Sequence, residues 1–237
     1  MSKLASRGIH GLLARYDIMQ YDYIVMDRIS LTGTDENLNA IDRAVKVLRA
    51  GGVIVYPTDT VYGIGADATN SIAVERVRAI KGGEDTKPIL AMVAGMTMLE
   101  EYAVMTPLAR ALTEHFLPGP LTLVLDTRSD ALAPIATHDG SVGFRMPDDH
   151  VCIAITTVLG RPVTSTSVNR SGVPQPQELS DMLVQIAHKS KGVDLVLDKG
   201  TLPLRAPSTI VDARGASPVF LRIGAIEESV ILGIFSD

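Results

Sequence analysis

Apolar residues repeat along the chain in two alternating patterns, one with helical spacing and one of short continuous runs. The helical spacing predicts helices over residues 35–50, 70–81, 107–116, 148–159 and 180–188. The continuous runs predict strands at 53–56, 89–93, 121–125, 141–144, 162–165, 193–197, 209–211 and 219–221, with a further candidate at 23–26. Alternating strands and helices are typical of an α/β fold. The late strands have little helix between them, which predicts some antiparallel pairing and therefore a mixed sheet.

Polar residues at the helix boundaries are candidate caps. The expected N-caps are Asp35, Asn70 or Ser71, Thr106, Asp148 with Asp149, and Ser180. Pro107 stands at the first position of its helix, where the missing N–H costs nothing. Gly51 and Gly160 stand just beyond the ends of two helices. No repeat or linker interrupts this order, so a single domain is expected.

A polar segment follows the first core strand, in the run Pro57-Thr58-Asp59-Thr60-Val61-Tyr62-Gly63. Pro57 has no N–H to donate, so the strand should end there. Gly63 and Gly65 then predict a glycine-hinged turn. In open α/β sheets ligands bind beyond the carboxyl ends of strands, which makes this turn a candidate site. Alternatively, its hydroxyl and carboxyl groups only satisfy local backbone groups.

Composition argues against several classes of protein. The 237 residues carry a formal net charge of −5, which argues against a general nucleic-acid binder. The one cysteine, Cys152, excludes an internal disulfide and lies in an apolar run, which predicts a buried, inert thiol. No run approaches the roughly 18 apolar residues of a membrane span, and the N-terminus lacks a secretory h-region. A cytoplasmic protein without membrane contact is expected.

Familiar catalytic signatures are absent from the sequence, since it has no P-loop, no GxSxG elbow and no metal-ligand spacing. Isolated cations stand at element ends instead. Lys81 before Gly82 suits a phosphate, or equally a helix C-terminus, and Lys87 is ambiguous in the same way. Arg145 ends a strand between apolar neighbours, so it needs an anionic partner, either a ligand carboxylate or an internal salt bridge.

Hydroxyl and amide groups also gather after strands. Ser165, Ser167 and Asn169 stand at every second position, so an extended segment places their side chains on one face. That face either binds phosphate or ribose or is a polar surface exposed to solvent. Ser208 is either a site residue or only the residue that precedes a strand. Arg222 is either a site residue or a cation on an edge strand.

Several of these segments together resemble the YrdC-like family, the threonylcarbamoyl-AMP synthases. The resemblance covers roughly Asn37 to Ile226. The segments that carry it, in order, are PTDTVYG at 57–63, PGPLT at 118–122, FRMP at 144–147, TSVNRSG at 166–172, PSTIVD at 207–212 and RIG at 222–224. It implies a single-domain YrdC-like fold over residues 27–237, with a ligand cleft in a twisted mixed sheet flanked by helices, after an N-terminal extension of residues 1–26.

The resemblance also assigns roles to residues. Carried over by motif, the L-threonine site comprises Thr60, Tyr62, Arg145, Ser165 and Ser208. The ATP site comprises Lys81, Lys87, Ser141, Ser167, Asn169 and Arg222, with Lys81 and Arg145 as the catalytic pair and no protein-bound metal.

The implied enzyme is a nucleotidyltransferase that joins L-threonine, bicarbonate and ATP into threonylcarbamoyl-AMP and pyrophosphate. Mg²⁺ accompanies the ATP. The product then serves a downstream tRNA threonylcarbamoyl transferase that modifies adenosine beside the anticodon, and a weak contact with tRNA or other RNA is included in this interpretation.

Two departures from the family pattern keep an alternative open. The family usually carries Lys-x-Arg where this chain has Lys81-Gly82-Gly83, and many members have a histidine where Met92 stands. A lost phosphate arginine predicts about tenfold weaker ATP binding or catalysis unless Arg78 or Lys87 takes its place. The alternative is a divergent YrdC-like nucleotide- or RNA-binding protein without synthase activity. A carbamoyl-adenylating domain like that of hydrogenase-maturation proteins fits less well, because those carry zinc-finger cysteines.

Overall fold

The computed structural model describes residues 27–32, 34–82, 88–187 and 192–235. The strands are β1 (Asp27–Ser30), β2 (Ile54–Tyr56), β3 (Gly63–Gly65), β4 (Leu90–Met92), β5 (Leu121–Asp126), β6 (Ser141–Arg145), β7 (Val163–Ser167), β8 (Leu195–Asp198), β9 (Thr209–Asp212) and β10 (Val219–Arg222). The helices are α1 (Thr34–Arg49), α2 (Ser71–Lys81), α3 (Met96–Tyr102), α4 (Pro107–Phe116), α5 (His150–Leu159), α6 (Leu179–Ile186) and α7 (Glu228–Gly233), with a 3₁₀ turn at Asp130–Leu132.

These strands form one sheet in the order β1-β8-β2-β3-β7-β4-β6-β5-β9-β10. The pairs β1/β8, β2/β8, β4/β6 and β5/β9 are parallel. The remaining neighbours, including β2/β3 and the late pair β9/β10, are antiparallel. The predicted mixed sheet is therefore confirmed.

The sheet separates two apolar layers because neighbouring residues of a strand face opposite sides. On β2, Ile54 and Tyr56 pack with apolar residues of α1 and α5, whereas Val55 belongs to the cluster that includes α2, α4 and α6. Helices thus cover both faces, as the sequence predicted. Cys152 on α5 is fully buried and its Sγ lies 3.2 Å from the Pro57 carbonyl oxygen. Burial raises the pKa of this thiol, which agrees with the predicted inert role.

Three predicted N-caps are confirmed by their hydrogen bonds. The Asn70 Oδ1 accepts from the Ile72 and Ala73 amides, and the Thr106 Oγ1 accepts from the amide of Ala109. The Asp149 carboxylate likewise accepts two amides at the start of α5. Each cap satisfies N–H groups that have no partner within the helix.

Two predicted caps are wrong. The first helix begins at Thr34, which places Asp35 inside the first turn, a position that also favours acidic residues. Helix α6 begins at Leu179, so Ser180 lies within it. Glu178 is the N-cap there and makes no side-chain cap bond. Leu179, the first residue of the helix, is buried.

The predicted glycine-hinged turn is also wrong in part. Gly63–Gly65 is a strand, β3, which pairs antiparallel with β2 across the turn at residues 57–62. A Cβ on Gly65 would lie 2.6 Å from Cε1 of Tyr56, so only glycine lets β3 approach this ring. Glycine has low strand propensity, which hid the strand from the sequence.

Some predictions fall on residues that the structure does not describe. The N-terminal extension of residues 1–26, with its candidate strand at 23–26, lies outside the described residues, as does the predicted helix end at His188. The division of the chain at residue 26 therefore stays a prediction. Conversely, α3 and α7 were not predicted. The N-cap of α3 is Gly95, which has no side chain to mark its start.

Candidate functional site

A cavity of about 450 Å³ opens where the ends of several strands and the end of α2 meet. It includes residues of the polar segment after β2, the ends of β6 and β7, and the segments around β9 and β10. The predicted site residues that line it are Thr60, Tyr62, Lys81, Arg145, Ser165, Ser167, Asn169, Ser208 and Arg222. Residues far apart in sequence are thus brought to one cavity.

Two predicted residues are not among the described lining residues. Ser141 begins β6, whereas Arg145 ends it, so strand geometry separates their Cα atoms by about 13 Å. Ser141 does not line the cavity, and its Oγ instead donates to Asp139 at 2.8 Å. The structure therefore gives no support to a direct ATP contact through Ser141. Lys87 lies outside the described residues, so its assignment stays a prediction.

Arg145 is the most constrained cation of the site. Its side chain is only 6% exposed, its Nη2 donates to Asp59 Oδ1 at 2.6 Å, and its Nη1 donates to Thr60 Oγ1 at 2.9 Å. The internal salt bridge considered from sequence therefore exists. The Nε is buried without a hydrogen-bond partner among the described residues. A buried donor left unpaired costs about 1–3 kcal/mol.

The turn after β2 holds these partners in place. Thr58 Oγ1 accepts from the amides of Thr60 and Val61 at 3.1 and 3.2 Å and donates to the Val61 carbonyl oxygen at 2.7 Å. This arrangement closes the turn on itself, so the Thr58 hydroxyl has the local backbone role considered from sequence. Asp59 and Thr60 are thereby aimed at Arg145.

Lys81 is 6% exposed at the end of α2. Its Nζ donates to the Ser167 carbonyl oxygen at 2.8 Å and to Asn169 Oδ1 at 2.9 Å. Ser167 Oγ also donates to Asn169, so these three residues form one polar group at the cavity wall. The ammonium thus stands among lining hydroxyl and amide groups, which is a suitable surface for phosphate oxygens.

A second polar group surrounds Ser208, which directly precedes β9. Its Oγ is 2.9 Å from Thr122 Oγ1, and Arg222 donates from Nη2 to that Oγ at 3.1 Å and to the Ser208 carbonyl oxygen at 2.8 Å. Burial lowers the pKa of the Arg222 guanidinium, and the nearby positive charge of Arg145 lowers it further. Two like charges this close would both gain from an anion in the cavity.

Tyr62 shapes the wall through its hydroxyl. The phenol donates to the Gly200 carbonyl oxygen at 2.8 Å and accepts from the Lys199 amide at 2.8 Å. Burial raises the pKa of this phenol to about 12. Tyr62 therefore ties the segment after β8 to the cavity, a partner that its sequence position did not reveal.

The charged side chains that line the cavity are all positive among the described residues. The described lining residues include four cations, which are Arg78, Lys81, Arg145 and Arg222, and no carboxylate. Asp59, the partner of Arg145, is not part of this lining. Such an excess of positive charge favours an anionic ligand.

Sequence reasoning missed several contributors. Asp59 was seen only as part of the turn, Thr122 only as part of a motif, and Gln175 not at all. Gln175 lines the cavity and lies within 3.4 Å of the Tyr62 carbonyl oxygen. Arg145 could have predicted the role of Asp59, because a buried arginine requires a carboxylate partner.

This geometry agrees with a comparison of the chain with known families. Residues 46–224 match the family model Sua5_yciO_yrdC, described as "Telomere recombination". That match covers well over half of the chain. The chain belongs to the Sua5/YciO/YrdC family. The predicted YrdC-like resemblance and fold are therefore confirmed.

Several relatives of the chain are named threonylcarbamoyl-AMP synthase. Threonylcarbamoyl-AMP synthase of Bacillus subtilis is 34% identical over 204 residues, which cover 84% of this chain and 58% of that protein. Threonylcarbamoyl-AMP synthase of Vibrio cholerae is 33% identical over 177 residues, covering 73% of this chain and 93% of that protein. The chain thus spans little more than half of the first relative and nearly all of the second.

A solved structure of the same family shows the same fold. The crystal structure of Pyrococcus abyssi Sua5 complexed with L-threonine superposes with a TM-score of 0.75 at 27% identity. The superposition covers 90% of this chain and 61% of that protein. Among the described residues of our chain, no helix is long and apolar enough to cross a membrane.

Proposed function

We propose that this Sua5/YciO/YrdC protein is an ATP-dependent threonylcarbamoyl-AMP synthase, a nucleotidyltransferase that uses L-threonine and bicarbonate. The observation that carries the proposal is the cavity, whose described lining contains four cations, Arg145 among them, and no carboxylate. Relatives named threonylcarbamoyl-AMP synthase support the same reaction.

Arg145 provides the amino-acid end of the site. Two of its N–H groups are held by Asp59 and Thr60, which fixes the plane of the guanidinium. An L-threonine carboxylate then pairs with the remaining edge, because guanidinium and carboxylate match as planar partners. Ser165 and Ser208 line the cavity nearby and offer hydroxyls for the substrate. The pair with Asp59 leaves Arg145 oriented before the substrate arrives.

The second anionic end belongs to the triphosphate. Lys81, with Ser167 and Asn169, faces the cavity from α2 and β7, and Arg222 approaches from β10. Cations and hydroxyls at this wall balance the phosphate charge. Mg²⁺ enters as part of the substrate MgATP, held by phosphate oxygens and water, since the described lining offers it no carboxylate.

The reaction requires no protein nucleophile. The threonine amine attacks the carbon of bicarbonate, a C–N bond forms, and water leaves to give the carbamate. A carbamate oxygen then attacks the α-phosphorus of ATP, and the bond to the β-phosphate oxygen breaks to release pyrophosphate. The protein contributes positioning of the carboxylate through Arg145 and stabilisation of phosphate charge through Lys81. The product would pass in the cytoplasm to a tRNA threonylcarbamoyl transferase.

The test is pyrophosphate release from MgATP and bicarbonate, measured with and without L-threonine. Release should depend on L-threonine, with D-threonine as the control for shape. Arg145→Lys keeps a positive charge beside Asp59 but loses the planar fork, so its KM for L-threonine should rise about tenfold while its KM for ATP changes little. Pyrophosphate release by the native protein that does not depend on L-threonine would contradict the proposal.

The alternative of a nucleotide- or RNA-binding protein without synthase activity rests on Gly83 at the place of the usual arginine. It makes a different prediction for the same assay. ATP would bind, but L-threonine would not stimulate pyrophosphate release. RNA binding would then show a steep decrease with salt.

A further inference from the structure

Arg78 lines the cavity, although none of the motifs behind the proposed function includes it. It stands three residues before Lys81 on α2, and residues with this spacing lie on the same face of a helix, with Cβ atoms about 5–6 Å apart. Both therefore approach the cavity from one side. Arg145 and Arg222 approach it from two strands, at the ends of β6 and β10.

The contacts of Arg78 leave its guanidinium available to a ligand. Among the described residues, its Nη2 donates to the Pro134 carbonyl oxygen at 3.3 Å, and its Nε lies 3.6 Å from a carboxylate oxygen of Glu75. The Glu75 side chain is 75% exposed, and such a pair is weak in water. The Arg78 side chain itself is 23% exposed. In contrast, Arg145 is held by a short buried pair.

The geometry points to Arg78 as a phosphate-contacting residue that acts beside Lys81 on the triphosphate of ATP and on the pyrophosphate product. This deepens the proposed function and rests on it for the identity of the nucleotide. A guanidinium one helical turn before Lys81 places a second positive charge on the same side of the cavity. It supplies a cationic side chain for the phosphates, which the glycine at position 83 lacks.

The experiment measures binding of inorganic pyrophosphate and of ATP by calorimetry, which needs no turnover. Arg78→Gln should weaken both about tenfold or more, the loss of one charge-assisted hydrogen bond. Arg78→Lys keeps the charge and should retain part of the affinity. The matched control is Arg110→Gln. Arg110 is an exposed arginine on α4 that pairs with Glu100, so this substitution removes the same charge outside the cavity.

The affinity for L-threonine separates a local effect from a general loss of structure. It should be unchanged in Arg78→Gln, since Arg145 is intact. Arg78→Gln protein that binds pyrophosphate within twofold of native, or an equal loss in Arg110→Gln, would overturn the assignment. Glu75→Gln, a surface change that leaves Arg78 without its acidic neighbour, should bind pyrophosphate at least as tightly as native, and weaker binding would also count against it. Native protein that binds pyrophosphate through Arg78 but shows no L-threonine-dependent release would defeat only the synthase proposal.

Discussion

The buried pair between Asp59 and Arg145 should dominate the stability of the site. Both side chains are 6% exposed, and the Nη2–Oδ1 distance is 2.6 Å. Asp59→Ala removes the carboxylate and leaves the guanidinium buried with only the Thr60 hydroxyl as a described partner. The variant tests whether the turn after β2 exists to hold a cation in the cavity.

The expected magnitude follows from burial. Removing one partner of a buried ion pair costs about 3–5 kcal/mol, because the remaining charge is uncompensated. For a chain of this length, each kcal/mol lowers the Tm by about 2–4 °C, so Asp59→Ala should melt about 6–20 °C below native. An exposed pair is worth about 0–1 kcal/mol. Asp42→Ala, which removes the exposed partner of Lys46, is the matched control.

Urea unfolding monitored by circular dichroism gives the free energies. The double variant Asp59→Ala/Arg145→Met removes both charges and should recover part of the loss, because no buried charge remains unpaired. A decrease below about 1 kcal/mol in Asp59→Ala, or no difference from Asp42→Ala, would refute the reasoning. So would a double variant that is less stable than Asp59→Ala alone.

Three further predictions concern individual side chains. Tyr62→Phe leaves the Gly200 carbonyl oxygen without its donor and should lower the free energy of unfolding by about 1–3 kcal/mol. Burial raises the Tyr62 pKa from 10.0 to about 12, so the neutral phenol stabilises the native protein fully below pH 10, and this stabilisation is lost as the pH rises towards 12. The free energy of unfolding, measured against pH, should therefore fall over this range in the native protein and not in Tyr62→Phe. Arg214 lowers the pKa of Asp212, so its stabilisation is present above the ordinary aspartate pKa of about 4 and lost in acid; Arg214→Gln should have a shallower acid transition. Gly83→Arg should leave the KM for ATP close to native, because Arg78 already supplies the phosphate contact, and a KM about tenfold lower would count against that assignment.

Much of the fold could be predicted because local signals agreed with tertiary packing. Helices α2, α4 and α5 begin at side-chain caps, so Asn70, Thr106 and Asp149 marked them correctly. The start of α6 was missed because its N-cap residue, Glu178, makes no side-chain cap bond that would mark it. Strand β3 was missed because its glycines are selected by close contact with the Tyr56 ring, a distant packing requirement that no local propensity contains.

The site was predictable where a residue type needed a partner. A buried arginine at a strand end indicated an anion, and Arg145 proved to have both an internal carboxylate and an unpaired donor. Ser141 stays a prediction, because it begins β6, whereas Arg145 at the other end of that strand lines the cavity. Arg78 belongs to the lining through helix position alone, and only the folded chain shows which face of α2 meets the cavity.

The central claim is that a carbon atom from bicarbonate joins threonine to AMP in this cavity. The most direct measurement is mass spectrometry of the reaction of native protein with L-threonine, MgATP and ¹³C-bicarbonate. The account predicts a threonylcarbamoyl-adenylate ion that is about one mass unit heavier than with ordinary bicarbonate, matched by equal pyrophosphate. ATP that binds while no labelled adenylate forms would contradict the claim and favour a nucleotide-binding protein without synthase activity.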